Sequence, residues 1–385
     1  MGYSWFVGTI GSGRAMQDLC GYFDLTGQSL WLDNLSRALL LEGRLKQAID
    51  QLGIRGVTSN PSILDRALRE TPAYYRADLR NLYREHGDAE AVYERLVARD
   101  VQMACDLLTP VWEASEGWDG YVSWEVSPHL AHDVEGTVAA AERLRGLAGR
   151  DNLMIKVPAT PAGVQAFAEL VAQGVSVNVT LIFGLPQLAA VFRAYLDGLR
   201  RWIEAGGEAR AVRSVASVFL SRVDTLADTR LEAEGSPESM ALRGRAALAL
   251  AARSQALYVQ IFHGPEFADL RAVGARPQTP LWASTGTKNP AYSDLLYVEP
   301  IMWPETINTL PDATLAALVD HGRIGRHAAA DLAQDEAHVA RLAGLGIDLD
   351  GAVAARLQED GLALFQDSYD RLLALVATAA PPSAP

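Results

Sequence analysis

Short apolar runs alternate with longer amphipathic stretches along most of this chain. Each run ends in a polar residue or in Gly and Pro, which marks it as a strand followed by a turn. The first run is Ser29-Leu30-Trp31-Leu32, ending at Asp33, and the second is Ile54 through Val57, leading into Thr58-Ser59-Asn60-Pro61. The third covers 120–128, with Glu125 near its end, and the fourth is Leu153-Met154-Ile155-Lys156-Val157. Further runs cover 175–183 and 212–219, and a strand plus turn covers 279–290. For the last strand 306–310 is preferred over 295–298. Between the runs, apolar spacing of three and four predicts helices at 36–51, through much of 64–109, and at 137–147, 163–172 and 188–205. Others are expected at 241–262, 314–321 and 350–378, with 225–238 a polar, Gly/Pro-marked connection.

Strands that alternate with helices argue for a parallel sheet. No G-x-G-x-x-G or phosphate-loop motif follows any strand, which weakens the doubly wound nucleotide-binding alternative. The pattern therefore predicts an α/β fold, a (β/α)8 TIM barrel, with its chemistry at the C-terminal ends of the strands. The expected organisation is an N-terminal segment 1–27, one barrel domain with extra helices over 28–378, and a disordered Pro/Ser/Ala tail 379–385. No internal repeat and no linker divides the barrel segment.

Composition narrows the function. Of 385 residues, 49% are hydrophobic and 21% charged, which is ordinary for a globular protein with a large core. Lys plus Arg number 34 against 47 Asp plus Glu, a net charge of −13, which argues against nucleic acid or an anionic membrane as partner. An anionic small substrate needs only a local group of cations and stays allowed. The two cysteines, Cys20 and Cys105, form no metal-ligand spacing, so neither a metal site nor a disulfide scaffold is expected. The first residues lack the basic and apolar regions of a signal peptide, and no run is long enough to span a bilayer. A cytoplasmic protein, monomeric or homodimeric, is the expectation.

Lys156 stands out because apolar residues flank it on both sides. Such a lysine must reach water, pair with an acid, or lose its proton; a neutral amine can attack a carbonyl and form a Schiff base. An edge-strand lysine pointing at solvent is the plainer reading of that run alone. Barrel geometry adds a test, since polar residues at strand ends converge on one mouth. In strand order they are Asp33, Thr58 with Asn60, Glu125, Lys156, Asn178 with Thr180, Ser217 with Arg222, and Ser284 with Lys288. Singly, each has a structural use: Asp33 as a helix cap, Asn60 as a turn residue, Glu125 as a surface acid. Asn178 and Thr180, however, share one parity inside an apolar strand and so face the same side.

These residues resemble the transaldolase family. The resemblance rests on Gly56-Val57-Thr58-Ser59-Asn60-Pro61-Ser62, Met154-Ile155-Lys156-Val157-Pro158-Ala159-Thr160, Asn178-Val179-Thr180-Leu181-Ile182-Phe183 and Ser217-Val218-Phe219-Leu220-Ser221-Arg222-Val223-Asp224, in the family's order. It covers roughly 28–322. It implies Lys156 as the Schiff-base nucleophile, Asp33 as the acid/base for the C4 hydroxyl, and Glu125 with Thr180 as the holders of a proton-relaying water. It also implies Asn60 and Asn178, beside Thr58, as partners of substrate hydroxyls or the iminium. Ser217 and Phe219 would then contact the sugar and shape its wall, and Arg222 would bind the phosphate. No cofactor is implied, and the partners are sugar phosphates of the pentose phosphate pathway.

One departure concerns the phosphate. Other branches of the family carry Ser-Phe-Arg where this chain has Ser284-Thr285-Gly286, so a second arginine is missing and Lys288 is the expected substitute, with Ser284 retained. The chain is also longer than short family members, around 225–280 and at the C-terminus. Two alternatives stay open: a fructose 6-phosphate aldolase that releases free dihydroxyacetone, and a catalytically silent phosphosugar-binding barrel.

Overall fold

The structure, a computed structural model, describes residues 19–325 and 331–378. Eight strands close into a parallel barrel in sequence order. They are β1 (Ser29–Leu32), β2 (Ile54–Thr58), β3 (Tyr121–Glu125), β4 (Leu153–Pro158), β5 (Val177–Ile182), β6 (Ser214–Phe219), β7 (Thr279–Ala283) and β8 (Ile307–Leu310). β8 pairs with both β7 and β1, which closes the ring. The eighth strand is thus the preferred 306–310 segment, while 295–298 lies in turns just before a short 3-10 turn, Glu299–Ile301.

Every residue of β3, β4, β5 and β6 is buried, as expected where helices cover the outside and side chains fill the inside. The indoles of Trp31, Trp124 and Trp282 are among the largest fully buried side chains. Trp31 also explains Gly56: a Cβ there would stand 2.3 Å from the indole, so only glycine lets the neighbouring strand pass.

Helix boundaries differ from the sequence reading where local signals compete with packing. The helix expected over 36–51 is two, Arg37–Leu41 and Arg44–Leu52, broken where Gly43 takes φ +72°. The stretch 64–109 is divided among Pro61–Glu70, Arg76–His86 and the long Ala89–Ala114. Residues 225–234, read as a polar connection, belong to the helix Ser221–Glu234, which buries Val223, Ala227 and Leu231 on one side and ends at Gly235 in the left-handed region. A further helix, Leu332–Gly344, was not foreseen; it packs on Ala246–Tyr258. A short helix, Tyr22–Thr26, already precedes β1 within the segment read as N-terminal. The stretch before Leu19 and the tail 379–385 lie outside the described residues.

The last helix, Ala354–Ala377, runs over the C-terminal end of the barrel. It packs against Pro61–Glu70, Ala89–Ala114 and β5, so it forms part of the wall at the mouth.

Candidate active site

Parallel register sets the floor of the mouth. Glu125 is the register partner of Lys156, and Lys156 is that of Asn178, so three adjacent strands hold them at one level. Lys156 Nζ donates to Glu125 Oε2 at 3.0 Å and to the Ser59 carbonyl at 3.0 Å. Both side chains of the pair are 5% exposed. The Phe365 ring, from the C-terminal helix, lies 5.6 Å from Nζ. Burial pushes the Glu125 carboxyl above the usual carboxylate range, and the Lys156 charge acts against that push.

Asp33 follows β1, its backbone N–H fixed by the Leu310 carbonyl at 2.8 Å. The Thr58 hydroxyl donates to Asp33 Oδ1 at 2.7 Å and meets the Thr309 hydroxyl at 2.7 Å. Burial raises the Asp33 carboxyl; the Thr58 hydrogen bond and the charges of Lys156 and Arg66 lower it, while Asp312 adds to the rise. A second chain of bonds runs below: Ser217 Oγ donates to Asn178 Oδ1 at 2.7 Å, and Asn178 Nδ2 donates to Ser123 Oγ at 3.0 Å. Thr180 Oγ1 is buried and has no hydrogen-bond partner among the described residues.

These groups surround a cavity of about 230 Å³. Ten of the twelve residues singled out from sequence line it: Asp33, Thr58, Asn60, Lys156, Thr180, Ser217, Phe219, Arg222, Ser284 and Lys288. Glu125 and Asn178 lie behind that surface, in contact with Lys156 and Ser217 respectively. Asn60 also has a structural duty, since its Oδ1 accepts from the Ile63 N–H at 3.0 Å and caps the helix Pro61–Glu70. Arg222 begins the helix after β6, half-buried, its guanidinium 5.5 Å from the Phe219 ring. Burial pulls Arg222 below the usual guanidinium value, opposed by the charges of Asp33 and Asp360. Across from it, Ser284 takes φ +54° and its hydroxyl meets that of Ser221 at 2.9 Å. Lys288 is exposed, and its Nζ lies 4.0 Å from where a Cβ on Gly286 would stand, so the chain folds back over that turn toward the mouth.

Sequence reading missed several members. Arg66 lines the cavity one turn after Ser62; the exposed-arginine pattern of its helix gave no hint. Thr309 is one of two polar residues in the eighth strand, with Asn308, and it is the one that lines the cavity. Leu364 and Phe365 come from a helix distant in sequence, and nothing local placed them on the cavity wall.

A cavity of about 440 Å³ lies at the other end, where Ser29, Thr279 and Ile307 begin their strands. It is larger, but its charged groups are engaged: Arg55 Nε on Asp119 at 2.7 Å, and Arg213 on the carbonyls of Trp118, Ser214 and Pro277. The smaller cavity is lined by two lysines, Lys156 and Lys288, with Arg66 and Arg222 beside them, and the larger by none, so chemistry rather than volume selects it.

The arrangement can form an imine on a buried amine, move protons through two carboxyls of raised affinity, and hold an anion at the rim. Among the described residues no group of three or more His, Cys, Asp or Glu is placed to hold a metal ion, and no helix is long and apolar enough to cross a membrane.

Comparison with known proteins gives the same direction. A family profile described as Transaldolase/Fructose-6-phosphate aldolase matches residues 30–376. A transaldolase of Thiobacillus denitrificans is 53% identical over 350 residues, 91% of this chain and 97% of that protein. Transaldolases of Mycolicibacterium smegmatis and Mycobacterium tuberculosis are 46% and 44% identical, each over 90% of this chain and 93% of its own length.

Proposed function

Because the chain belongs to the transaldolase/fructose-6-phosphate aldolase family, we propose that it works as a transaldolase, moving a dihydroxyacetone unit from a ketose phosphate to an aldose phosphate. The reading is carried by one observation: Lys156 Nζ, buried, 3.0 Å from Glu125, at the floor of a cavity that also holds Asp33. Sedoheptulose 7-phosphate or fructose 6-phosphate is the donor. Glyceraldehyde 3-phosphate or erythrose 4-phosphate is the acceptor.

The amine adds to the C2 carbonyl and water leaves, giving an iminium. Glu125, through a water held with Thr180, supplies and removes protons in that step and in its reversal. Asp33 takes the C4 hydroxyl proton, the C3–C4 bond breaks, and its electron pair passes to the iminium as an enamine. The aldose phosphate departs from Arg222 and Lys288. Another aldose phosphate enters the same rim, and the steps run backwards. Asn60, Asn178 and Ser217 hold hydroxyls of the bound unit, and Phe219 walls it.

Incubation with fructose 6-phosphate and borohydride tests this, followed by peptide mass analysis. The expected adduct is a reduced dihydroxyacetone or hexose phosphate unit on Lys156. Its placement on another residue, or its absence, would overturn the assignment. Measuring free dihydroxyacetone with no acceptor present separates the transferase from the aldolase: a transaldolase releases it only in traces.

A further inference from the structure

β5 contains an unusual backbone feature. Leu181 takes φ +59°, a left-handed conformation that a branched side chain seldom adopts. The β5–β6 register shifts at the same place, between Val179 and Ile182, so an extra residue stands outside the ladder. Strain of this kind persists only where neighbours hold it, and it collects at working sites. The residue just before it is Thr180, whose hydroxyl is buried, unpartnered among the described residues, and on the wall of the lysine cavity.

The restraint comes from the C-terminal helix. Gln358 Nε2 donates to the Leu181 carbonyl at 3.2 Å and to the Ala159 carbonyl at 2.8 Å. The Ala159 N–H in turn donates to the Thr180 carbonyl at 2.7 Å. One amide therefore ties the ends of β4 and β5 together on either side of Thr180. The same helix face continues at Gly361 and Phe365, three and seven residues on. A Cβ at Gly361 would stand 3.0 Å from Leu181 Cδ2 and 3.4 Å from an Arg222 guanidinium nitrogen, so the helix sits close over both. Phe365 then reaches Lys156.

We propose that Gln358 is a positioning residue for the reaction: by clamping the Leu181 and Ala159 carbonyls it holds the β5 bulge in place and aims the Thr180 hydroxyl at the water beside Lys156. This rests on the reading of Thr180 and Glu125 as the pair that holds that water. It gives the C-terminal length of this chain a role at the chemistry, since the helix then sets the geometry of imine formation as well as covering the mouth.

The test compares Gln358→Leu with Gln366→Leu. Gln366 sits on the same helix and donates to the Pro128 carbonyl at 3.4 Å, so its loss loosens helix docking without touching the bulge. The readout is exchange of the ketose C2 oxygen with oxygen-18 water, which needs imine formation and hydrolysis but no acceptor. Gln358→Leu is expected to slow exchange about 10-fold or more, the scale of impaired proton relay, with the KM for fructose 6-phosphate and the unfolding midpoint close to those of Gln366→Leu. Thr180→Val should slow exchange as well, and the double variant Thr180→Val/Gln358→Leu should be no slower than Thr180→Val alone. Exchange in Gln358→Leu equal to that in Gln366→Leu, or fully additive losses in the double variant, would overturn the inference while leaving the role of Thr180 standing. Unimpaired exchange in Thr180→Val would instead overturn the reading on which it rests.

Discussion

Lys156 Nζ donates to Glu125 Oε2 across 3.0 Å, inside the barrel, with both side chains buried. Adjacent strands in register bring the two together. Removing the amine leaves a carboxyl whose burial already favours its protonated form, now without the opposing charge of Lys156. Lys156→Ala is therefore expected to keep its fold and lose the borohydride adduct. The sign of the pH effect follows from the raised carboxyl: the folded state binds the proton more tightly than the unfolded one. Stability is complete below the ordinary glutamate range and falls as pH rises through the folded value. Urea unfolding from pH 5 to 8 should show Lys156→Ala losing more stability with rising pH than the parent. A parallel pair of curves would contradict the electrostatic account.

Asp33 touches Thr58 rather than the lysine, so it can fail without disabling imine formation. Asp33→Asn keeps the shape and removes the base. The expected outcome is a fall in kcat of about 10²–10⁴-fold, typical of a lost general base. The borohydride adduct should then carry the uncleaved ketose phosphate. An adduct of the cleaved three-carbon unit, at the parent rate, would assign the proton transfer elsewhere.

Arg66 lowers Asp33 by its charge while burial raises it. Asp33 must be ionised to accept a proton, so the acid limb of kcat/KM lies above that of an exposed aspartate. Arg66→Gln removes a charge that favours the ionised form. The limb should move toward neutral pH, while the plateau changes by less than about 5-fold, the ceiling for an exposed charge. A pH–rate profile with an unmoved limb would show that Arg66 does not act on Asp33.

Arg222 and Lys288 share the rim but differ in burial. A charge-assisted bond from a half-buried guanidinium contributes ~1.5–3 kcal/mol, so Arg222→Ala should raise the KM for phosphorylated donors by about 10- to 150-fold. An exposed pair contributes up to ~1 kcal/mol, and Lys288→Ala should raise it less than about 6-fold. Neither should alter turnover of unphosphorylated dihydroxyacetone donors by as much. Equal penalties would mean that the Lys288 loop closes onto the bound phosphate.

Much of this site could be read along the chain because it lies on short strands. A residue's parity and its distance from the strand end settle which way it points. That is why Lys156, Asn178, Thr180 and Ser217 were identifiable from local pattern. Glycine signals were read less well. Gly43 breaks a helix whose apolar spacing runs straight through it, and Gly235 ends a helix that composition alone presents as a loop.

By itself the sequence determined the alternation of strand and helix, the barrel, and the set of polar strand ends, since all three follow from spacing within a few neighbouring residues. Tertiary structure alone decided which of these groups touch. It placed Glu125 on Lys156, left Thr180 without a hydrogen-bond partner among the described residues, put Leu181 in a left-handed conformation within β5, and brought Gln358 and Phe365 from far down the chain onto the mouth. Those outcomes depend on register between strands and on the docking of a distant helix, and contacts between residues so far apart in sequence leave no local periodicity from which to read them.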